Sequence, residues 1–418
     1  MNNEDMSKFN VHNTRNTKIL VVLIATILVI FSLVIVCVVM MYPSDKGIYV
    51  ESEKELVDAV NNAVGPIVIT FRGDIQLTKT FVILANKTVT LTSDNYDNSF
   101  FRLNGPDGDN TITINEDGML TIDGIIVTHD PESTGRGIEV NFGGTLVLSD
   151  GAISDNSVTT YGFGGGVLND GVFSMSGGEI YGNSISGNGG GVGNRGVFVM
   201  SGGTIFDNKV NTVEVSPFTG GGGGVFTNDD FTMSGGIIDN NHAAVHGGGV
   251  YVDSGLFSMS YDAVITNNRA RTLGGGVYSS DEGIFNMFGG VISNNIASWG
   301  GGVNSKNVFE MSGNSEIVNN TATGYGGGVY IGGDNRNGNF KMSDYSIIDG
   351  NTGSSSGGGV YIYIFSVFEM SGDSRIVSNT AGSGGGVYNR NGNFNWSDGE
   401  IANNKNTADG NDIYNVTA

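Results

Sequence analysis

The residues of this chain that could carry out acid–base chemistry are two adjacent aspartates, a histidine and two arginines. Asp229 and Asp230 stand together, His246 follows, and Arg269 and Arg271 come next. Two carboxyl groups that flank a sugar linkage can protonate its oxygen and activate water, which is the chemistry of glycoside hydrolysis. The acidic pair, however, stands where neighbouring repeats of the sequence have polar turn residues. We therefore interpret both aspartates as turn residues and predict no catalytic residue.

The acidic and histidine side chains form no complete metal-ligand motif. Two aspartate pairs could supply oxygen ligands to a calcium ion, but neither extends to the spacing of a calcium-binding loop. The histidines lack the spacing of a zinc site. We predict no cofactor and no metal site. The residues concerned are Asp107 with Asp109, Asp409 with Asp412, and His12, His129, His242 and His246.

Aromatic residues recur directly after a repeated glycine-valine segment and form the candidate ligand-binding site. In a strand whose valine points into a core, the next side chain points outward. Stacking of successive repeats would align these side chains at a spacing of about 4.8 Å, where aromatic faces can pack on sugar rings or on apolar groups of a partner. The predicted strip consists of Phe226, Tyr251, Tyr278, Tyr330, Tyr361 and Tyr388.

The same strip also has a purely structural interpretation. Aromatic side chains on neighbouring strands stabilise each other by cross-strand packing without any ligand. Leu168, Gly193 and Asn304 occupy the equivalent position in three repeats and interrupt the strip. The sequence leaves both roles open.

These candidates are positioned by a repeat that extends from position 164 to position 404. Each unit begins with Gly-Gly-Gly-Val and continues with Phe-x-Met-Ser-Gly-Gly-x-Ile-x-x-Asn or a close variant. Successive units are 25 to 33 residues apart, and a period of this size is typical of a solenoid. The valines that mark the units are Val167, Val192, Val225, Val250, Val277, Val303, Val329, Val360 and Val387.

Within each unit, apolar residues alternate with a period of two, which indicates short strands. The repeated positions predict three ladders. A phenylalanine ladder contains Phe173, Phe198, Phe231, Phe257, Phe285, Phe309, Phe340, Phe368 and Phe394. A methionine ladder contains Met175, Met200, Met233, Met259, Met287, Met311, Met342, Met370 and Trp396. A corner ladder, in which asparagine adopts left-handed backbone angles, contains Asn156, Asn183, Asn208, Asn241, Asn268, Asn295, Asn320, Asn351, Asn379 and Asn404.

No unit contains a helical pattern, so the strands of one coil must satisfy their backbone hydrogen bonds by pairing with the coils above and below. This predicts an all-β parallel β-helix solenoid of about 12 to 13 coils over residues 67–418. The 69 glycines of the 418-residue chain are concentrated in the repeat. Their excess over ordinary glycine usage is therefore a feature of the repeated fold.

The segment before the repeat predicts a membrane anchor and a cap. Residues 19–42 are uncharged and mainly apolar, which is long enough for one transmembrane helix; a cleavable signal peptide is the alternative. Residues 1–18 carry more basic groups than the segment after the span, which predicts a cytoplasmic tail and an extracellular solenoid. A linker at 43–51 leads to an amphipathic helix at 52–66, which has a Ser52/Glu55 capping box and is predicted to cover the first coil.

Charge and cysteine content exclude several classes of partner and scaffold. The formal net charge is −22, so nucleic acid is not an expected partner. The single cysteine, Cys37, lies in the apolar segment, so disulfide bonds do not stabilise the solenoid.

The repeat units resemble those of adhesin-like surface proteins of bacteria and archaea that contain right-handed β-helix repeats, and they are similar to polymorphic outer-membrane protein repeats. The resemblance covers roughly residues 52–414 and implies a right-handed helix related in fold to pectate lyases. The Asn-Thr-Asp motif of polygalacturonase-like enzymes is absent.

Since this fold hosts many functions, the resemblance does not decide the activity. We expect a membrane-anchored cell-surface protein that binds a glycan or a surface partner without catalysis. A polysaccharide lyase or glycoside hydrolase is the alternative, and a passive surface spacer or coat is the third.

Overall fold

Successive repeats of the chain stack on one another through parallel strands. The computed structural model describes residues 47–94, 99–211, 220–333, 338–407 and 412–416. From Ile48 onward the chain forms one compact unit, a parallel β-solenoid of about 12 turns, as the repeat predicts. The strands of the described residues form a sheet of 36 strands and a second sheet of 10 strands.

The first turns are irregular, and among the described residues one helix lies between the first two strands. The helix is Glu53–Asn62, with Ser52 as its N-cap. The early strands are Ile48–Val50, Ile67–Phe71, Ile75–Gln76, Phe81–Ile83, Thr88–Ser93, Arg102–Asn104, Ile112–Ile114, Met119–Thr128, Ile138–Val140 and Thr145–Ser154.

Each later turn has four strand positions, which we call the valine, phenylalanine, isoleucine and outer faces. The valine face follows the glycine triplet and contains Val167–Asn169, Val192–Asn194, Val225–Thr227, Val250–Met259, Val277–Met287, Val303–Ser305, Val329–Ile331, Val360–Ile362, Val387–Asn389 and Ile413–Asn415. The strands Val250–Met259 and Val277–Met287 continue into the phenylalanine face, whose other strands are Val172–Met175, Val197–Met200, Phe231–Met233, Val308–Met311, Asn339–Met342, Val367–Met370 and Asn393–Trp396.

The two remaining faces lie on either side of the asparagine corner. The isoleucine face contains Glu179–Tyr181, Thr204–Phe206, Ile237–Asp239, Val264–Thr266, Val291–Ser293, Glu316–Val318, Ile347–Asp349, Arg375–Val377 and Glu400–Ala402. The outer face is the 10-stranded sheet, which we did not predict as a separate face. It contains Ser157–Val158, Ser184–Ile185, Lys209–Val210, His242–Ala243, Arg269–Ala270, Ile296–Trp299, Thr321–Tyr325, Thr352–Ser356, Thr380–Ser383 and Lys405–Asn406.

The phenylalanine and methionine ladders are confirmed by the strand register. Phe285 pairs with Phe309, their rings stack with centroids 4.9 Å apart, and both are fully buried. Met287 pairs with Met311 in the same strands. The methionine ladder ends at Trp396, which is 46% exposed because it belongs to the last described strand of the phenylalanine face.

The asparagine ladder is also confirmed, but the left-handed corner is not where we predicted it. In the repeats at Asn268, Asn295 and Asn320, positive φ angles of 55 to 57° belong to the preceding residues. The ladder asparagines themselves point inward, and their amides form hydrogen bonds between turns. Short polar residues or glycine tolerate the left-handed conformation, which explains their occurrence at the preceding position.

The glycine triplet is required by close contacts between turns. Gly300 opens one triplet with φ of 66°, a conformation that L-residues rarely adopt. A Cβ atom on Gly301 would lie 2.5 Å from the carbonyl oxygen of Gly327 in the next turn, and one on Gly302 would lie 2.7 Å from that of Gly328. Side chains at these positions would therefore force neighbouring turns apart.

Of the predicted N-terminal segments, the structure describes the helix and the end of the linker. Residues 19–42, the predicted transmembrane helix, lie outside the described residues, as do the tail and most of the linker. The described part of the chain contains no helix that is long and apolar enough to cross a membrane. The helix predicted at 52–66 is present as Glu53–Asn62, and its Leu56 and Val60 are buried.

Candidate functional site

The predicted aromatic residues form one column on the valine face. Tyr330, Tyr361 and Tyr388 pair in register, and their ring centroids are 5.0 and 5.1 Å apart in nearly parallel planes. Phe226 and Tyr251 pair in the same way but pack edge to face. We call these residues, together with Tyr278, the aromatic column.

The exposure of the aromatic column differs from our expectation. We predicted an outward-facing strip, but Phe226, Tyr251, Tyr278, Tyr330 and Tyr361 are between 1% and 4% exposed, and only Tyr388 is half-buried. The side chains do leave the main core, because Phe226, Tyr251 and Tyr278 form a separate apolar cluster. A ligand can therefore reach these rings only where their cover is incomplete.

Large side chains directly before several of the glycine triplets cover part of the aromatic column. In successive turns these residues lie beside the aromatic column, and the larger side chains pack on the rings of the column. Phe163 contacts Phe226 with centroids 5.2 Å apart, and His246 contacts Tyr278 at 4.7 Å. We did not predict this second column, which contains Phe163, His246, Leu273, Trp299 and Tyr325. The available signal was an apolar or aromatic residue just before the triplet in most of these repeats.

Of the three residues that interrupt the predicted strip, Gly193 and Asn304 have different surroundings. At Gly193, the absent side chain leaves space that Phe163 fills, because a Cβ atom there would lie 2.8 Å from the Phe163 Cβ. At Asn304, the neighbouring Trp299 stacks on Tyr330 with centroids 5.7 Å apart. A pocket of about 280 Å³ lies at this second position, between Trp299, Asn304 and Tyr330.

Asn304 is the unusual residue of this pocket. Its side chain is 1% exposed, yet neither its Nδ2 nor its Oδ1 atom has a hydrogen-bond partner. A buried polar group without a partner costs about 1–3 kcal/mol, so such groups are rare in folded proteins. The ladder asparagines from Asn156 to Asn379 are equally buried, but Asn295, for example, forms several hydrogen bonds.

Two basic side chains also line the pocket. Lys306 places its Nζ atom 5.9 Å from the centre of the Tyr278 ring, and Arg390 lies over the Tyr363 ring at 5.3 Å. Burial raises the pKa of Tyr361, and a hydrogen bond with Arg390 opposes that rise. The pocket thus combines aromatic faces, an unpaired amide and two cations in a chain whose net charge is −22.

The residues considered for catalysis lie in different local structures. Asp229 and Asp230 form a turn between the valine and phenylalanine faces. Burial raises the pKa of Asp230, and the neighbouring Asp229 raises it further. His246 is within 2.7 Å of the Thr272 hydroxyl and packs on Tyr278. Arg269 lies on the outer face.

The candidate metal ligands show no cluster in the part of the chain that the structure describes. No group of three or more histidine, cysteine, aspartate or glutamate side chains there could hold a metal ion. Asp409 and His12 lie outside the described residues. His129 is buried, and its Nδ1 atom lies 2.7 Å from the Asn156 Oδ1 atom at the start of the asparagine ladder.

Comparisons with known proteins assign no family to this chain. No protein-family model, no curated protein and no solved structure matches it.

Proposed function

We propose that this chain is a surface protein that binds a glycan through the Asn304 pocket, with the solenoid acting as a rigid support. The observation that carries the proposal is the composition of that pocket. Exposed aromatic surface at Trp299, which is 42% exposed, can pack on the apolar face of a sugar ring. The unpaired Asn304 amide is 1% exposed, and once its cover opens it can donate and accept hydrogen bonds with sugar substituents.

The solenoid suits this role because it holds Asn304 and Tyr330 of the pocket on strands. Asn304 lies in Val303–Ser305 and Tyr330 lies in Val329–Ile331, and these two strands pair in register. Binding groups on paired strands keep their relative positions better than groups on loops. The adhesin-like role and the right-handed coil belong to this proposal, and parallel crossover connections favour that hand.

The N-terminal segments complete the proposal. Residues 19–42 anchor the chain in the cell membrane, residues 1–18 remain in the cytoplasm, and the solenoid faces the exterior. The helix Glu53–Asn62 covers the first turn, supported by its buried Leu56 and Val60 and by the Lys87 Nζ atom, which donates to the Asn61 and Ala63 carbonyl oxygens. Protease added to intact cells should remove the solenoid and leave a membrane-bound stub. Complete protection of the solenoid would exclude this topology.

A glycan and surface-protein array tests the binding function. The full-length chain, purified in a neutral detergent, should bind a subset of glycans, and Trp299→Ala should reduce that binding. Tyr261→Ala is the matched control, because Tyr261 is also aromatic and exposed but lies outside the pocket. Binding by neither protein would favour a passive spacer. Release of reducing sugars or unsaturated uronates from a polysaccharide panel would instead favour an enzyme.

A further inference from the structure

We propose that the Asn304 pocket selects one class of sugar, a terminal acidic sugar that carries both a carboxylate and an N-acyl group, as sialic acids do. This inference rests on the proposed glycan-binding function and adds the identity of the recognised unit. Three features of the pocket carry it: its unpaired amide, its two cations and its size.

The first feature is the Asn304 amide. Both its Nδ2 and Oδ1 atoms lack partners, so the site offers a donor and an acceptor that are fixed in one plane. An N-acyl substituent presents one N–H and one carbonyl oxygen, also in one plane. Because the N–H and the carbonyl oxygen of a trans N-acyl group point in opposite directions, the group can pair with one atom of Asn304 while a hydroxyl group of the sugar pairs with the other. Asn304 is 1% exposed, so its cover must open for this contact, which then removes the cost of leaving both atoms buried without partners.

The second feature is the local positive charge. A body with a net charge of −22 repels anionic ligands over most of its surface, so an acidic sugar needs local cations. Lys306 and Arg390 both line this pocket. The guanidinium group of arginine can bind a carboxylate through two parallel hydrogen bonds. Arg390 extends from the tyrosine side of the pocket and is exposed, so its charged end can approach a ligand from solvent.

The third feature is the volume, which limits how much of a glycan can enter. The pocket measures about 280 Å³, slightly below the range of roughly 300–1,000 Å³ that is usual for small-molecule sites. A single terminal residue is therefore the expected occupant, and the rest of the glycan would extend into solvent. Trp299, which is 42% exposed, provides the aromatic surface on which the sugar ring or its acyl methyl group can pack.

Calorimetric titration of the full-length chain with three methyl glycosides tests the proposal. The probes are N-acetylneuraminic acid, which carries both groups, glucuronic acid, which has only the carboxylate, and N-acetylglucosamine, which has only the N-acyl group. We expect the first to bind about ten-fold more tightly than either of the others, because each omitted group loses one set of hydrogen bonds. Equal affinity for either partial probe overturns the proposal.

Substitutions connect the binding to this pocket. Asn304→Leu places at this position the residue type found in the equivalent Leu168, and it should reduce affinity for N-acetylneuraminic acid about ten-fold without lowering the melting temperature. Lys306→Ala should weaken the same interaction and reduce its dependence on salt. Lys209→Ala is the matched control, because Lys209 is exposed on the outer face, and its affinity should equal that of the wild type.

The outcomes separate this inference from the function on which it rests. Unchanged affinity in both Asn304→Leu and Lys306→Ala overturns the proposal even if the sugar binds. If the array finds a neutral glycan that Trp299→Ala no longer binds, the acidic-sugar inference fails and the glycan-binding function stands. If no glycan binds the wild-type chain, both fail.

Discussion

Asn295 and Asn320 are joined by two hydrogen bonds that end on one oxygen atom. The backbone N–H and the Nδ2 atom of Asn295 both donate to Oδ1 of Asn320, at 2.9 and 3.0 Å. The same Nδ2 atom donates to the carbonyl oxygen of Ile265 in the preceding turn. Asn295 is fully buried, so water cannot replace these bonds. One amide thus connects three successive turns.

Removal of this amide should destabilise the solenoid. Asn295→Ala leaves buried partners unsatisfied on both neighbouring turns, and we expect the free energy of unfolding to fall by about 1–3 kcal/mol or more. Chemical denaturation of the wild type and the variant measures the difference. Asn304→Ala is the matched control. Asn304 is similarly buried, but its amide atoms have no hydrogen-bond partner, so removing the amide should leave the free energy of unfolding unchanged or raise it. Equal losses in the two variants would contradict this account.

The phenylalanine ladder should be the most sensitive part of the core. Phe309 stacks between Phe285 and Phe340, with ring centroids 4.9 and 4.7 Å away, and is fully buried. Phe309→Ala should lower the free energy of unfolding by about 3–5 kcal/mol, because it removes apolar contacts and leaves a cavity. Phe365 is 69% exposed, and Phe365→Ala should have little effect in the same denaturation experiment.

The aromatic column should contribute to stability as well as to any binding. Tyr251, Tyr278 and Tyr330 are buried, so changing all three to Ser should lower the melting temperature markedly. Compared with the triple variant, Trp299→Ala should lower the melting temperature less, because Trp299 is 42% exposed, and it should reduce ligand binding more. Thermal melts monitored by circular dichroism, together with the binding titration, distinguish the two effects. A triple variant that melts like the wild type would mean that the column is not packed as described.

A corner residue offers a stabilising substitution. Ser378 is exposed and has φ of 58°, a left-handed conformation that costs an L-residue about 1–2 kcal/mol. Ser378→Gly relieves this strain but increases the entropy lost on folding, so we expect a net gain of up to about 1 kcal/mol, seen as a higher melting temperature. Ser383 lies in the strand Thr380–Ser383, where glycine brings only the entropic cost. Ser383→Gly should therefore lower the melting temperature, and a rise there would contradict the argument.

A partly buried aspartate, Asp253, should make stability depend on pH. Burial raises the pKa of Asp253, as do the nearby Glu282 and Asp281, while a hydrogen bond from the Tyr251 hydroxyl opposes the rise. Between the ordinary value of 3.8 and the raised pKa, the folded state binds more protons than the unfolded state. The charged carboxylate therefore destabilises the fold above the raised pKa, and this penalty is relieved as the pH falls through it.

Asp253→Asn should accordingly stabilise the protein at neutral pH, because an amide oxygen can still accept the Tyr251 hydrogen bond without carrying a charge. The difference in melting temperature from the wild type should shrink as the pH falls and disappear below about pH 3.8. A variant that is less stable than the wild type at pH 7 would show that the charged hydrogen bond outweighs the cost of burial.

The amino-acid sequence alone determined the stacking register of the solenoid. Valine, phenylalanine, methionine and asparagine recur at matching positions, and a parallel stack pairs each residue with its equivalent in the next turn. Phe285 and Phe309 could therefore be paired before the structure was known. The predicted helix also follows from local signals, since the Ser52 side chain accepts a hydrogen bond from the Glu55 backbone N–H as a capping box requires.

Only the tertiary structure decided which side chains are covered. Strand alternation predicts that Tyr330 leaves the main core, but not that Trp299 of the preceding turn lies against it. The amide of Asn304 is unpaired for the same reason: its surroundings come from residues in adjacent turns, about 25 positions away in the chain. Periodicity reports the direction of a side chain, whereas burial and hydrogen bonding depend on the neighbours that stacking brings to it.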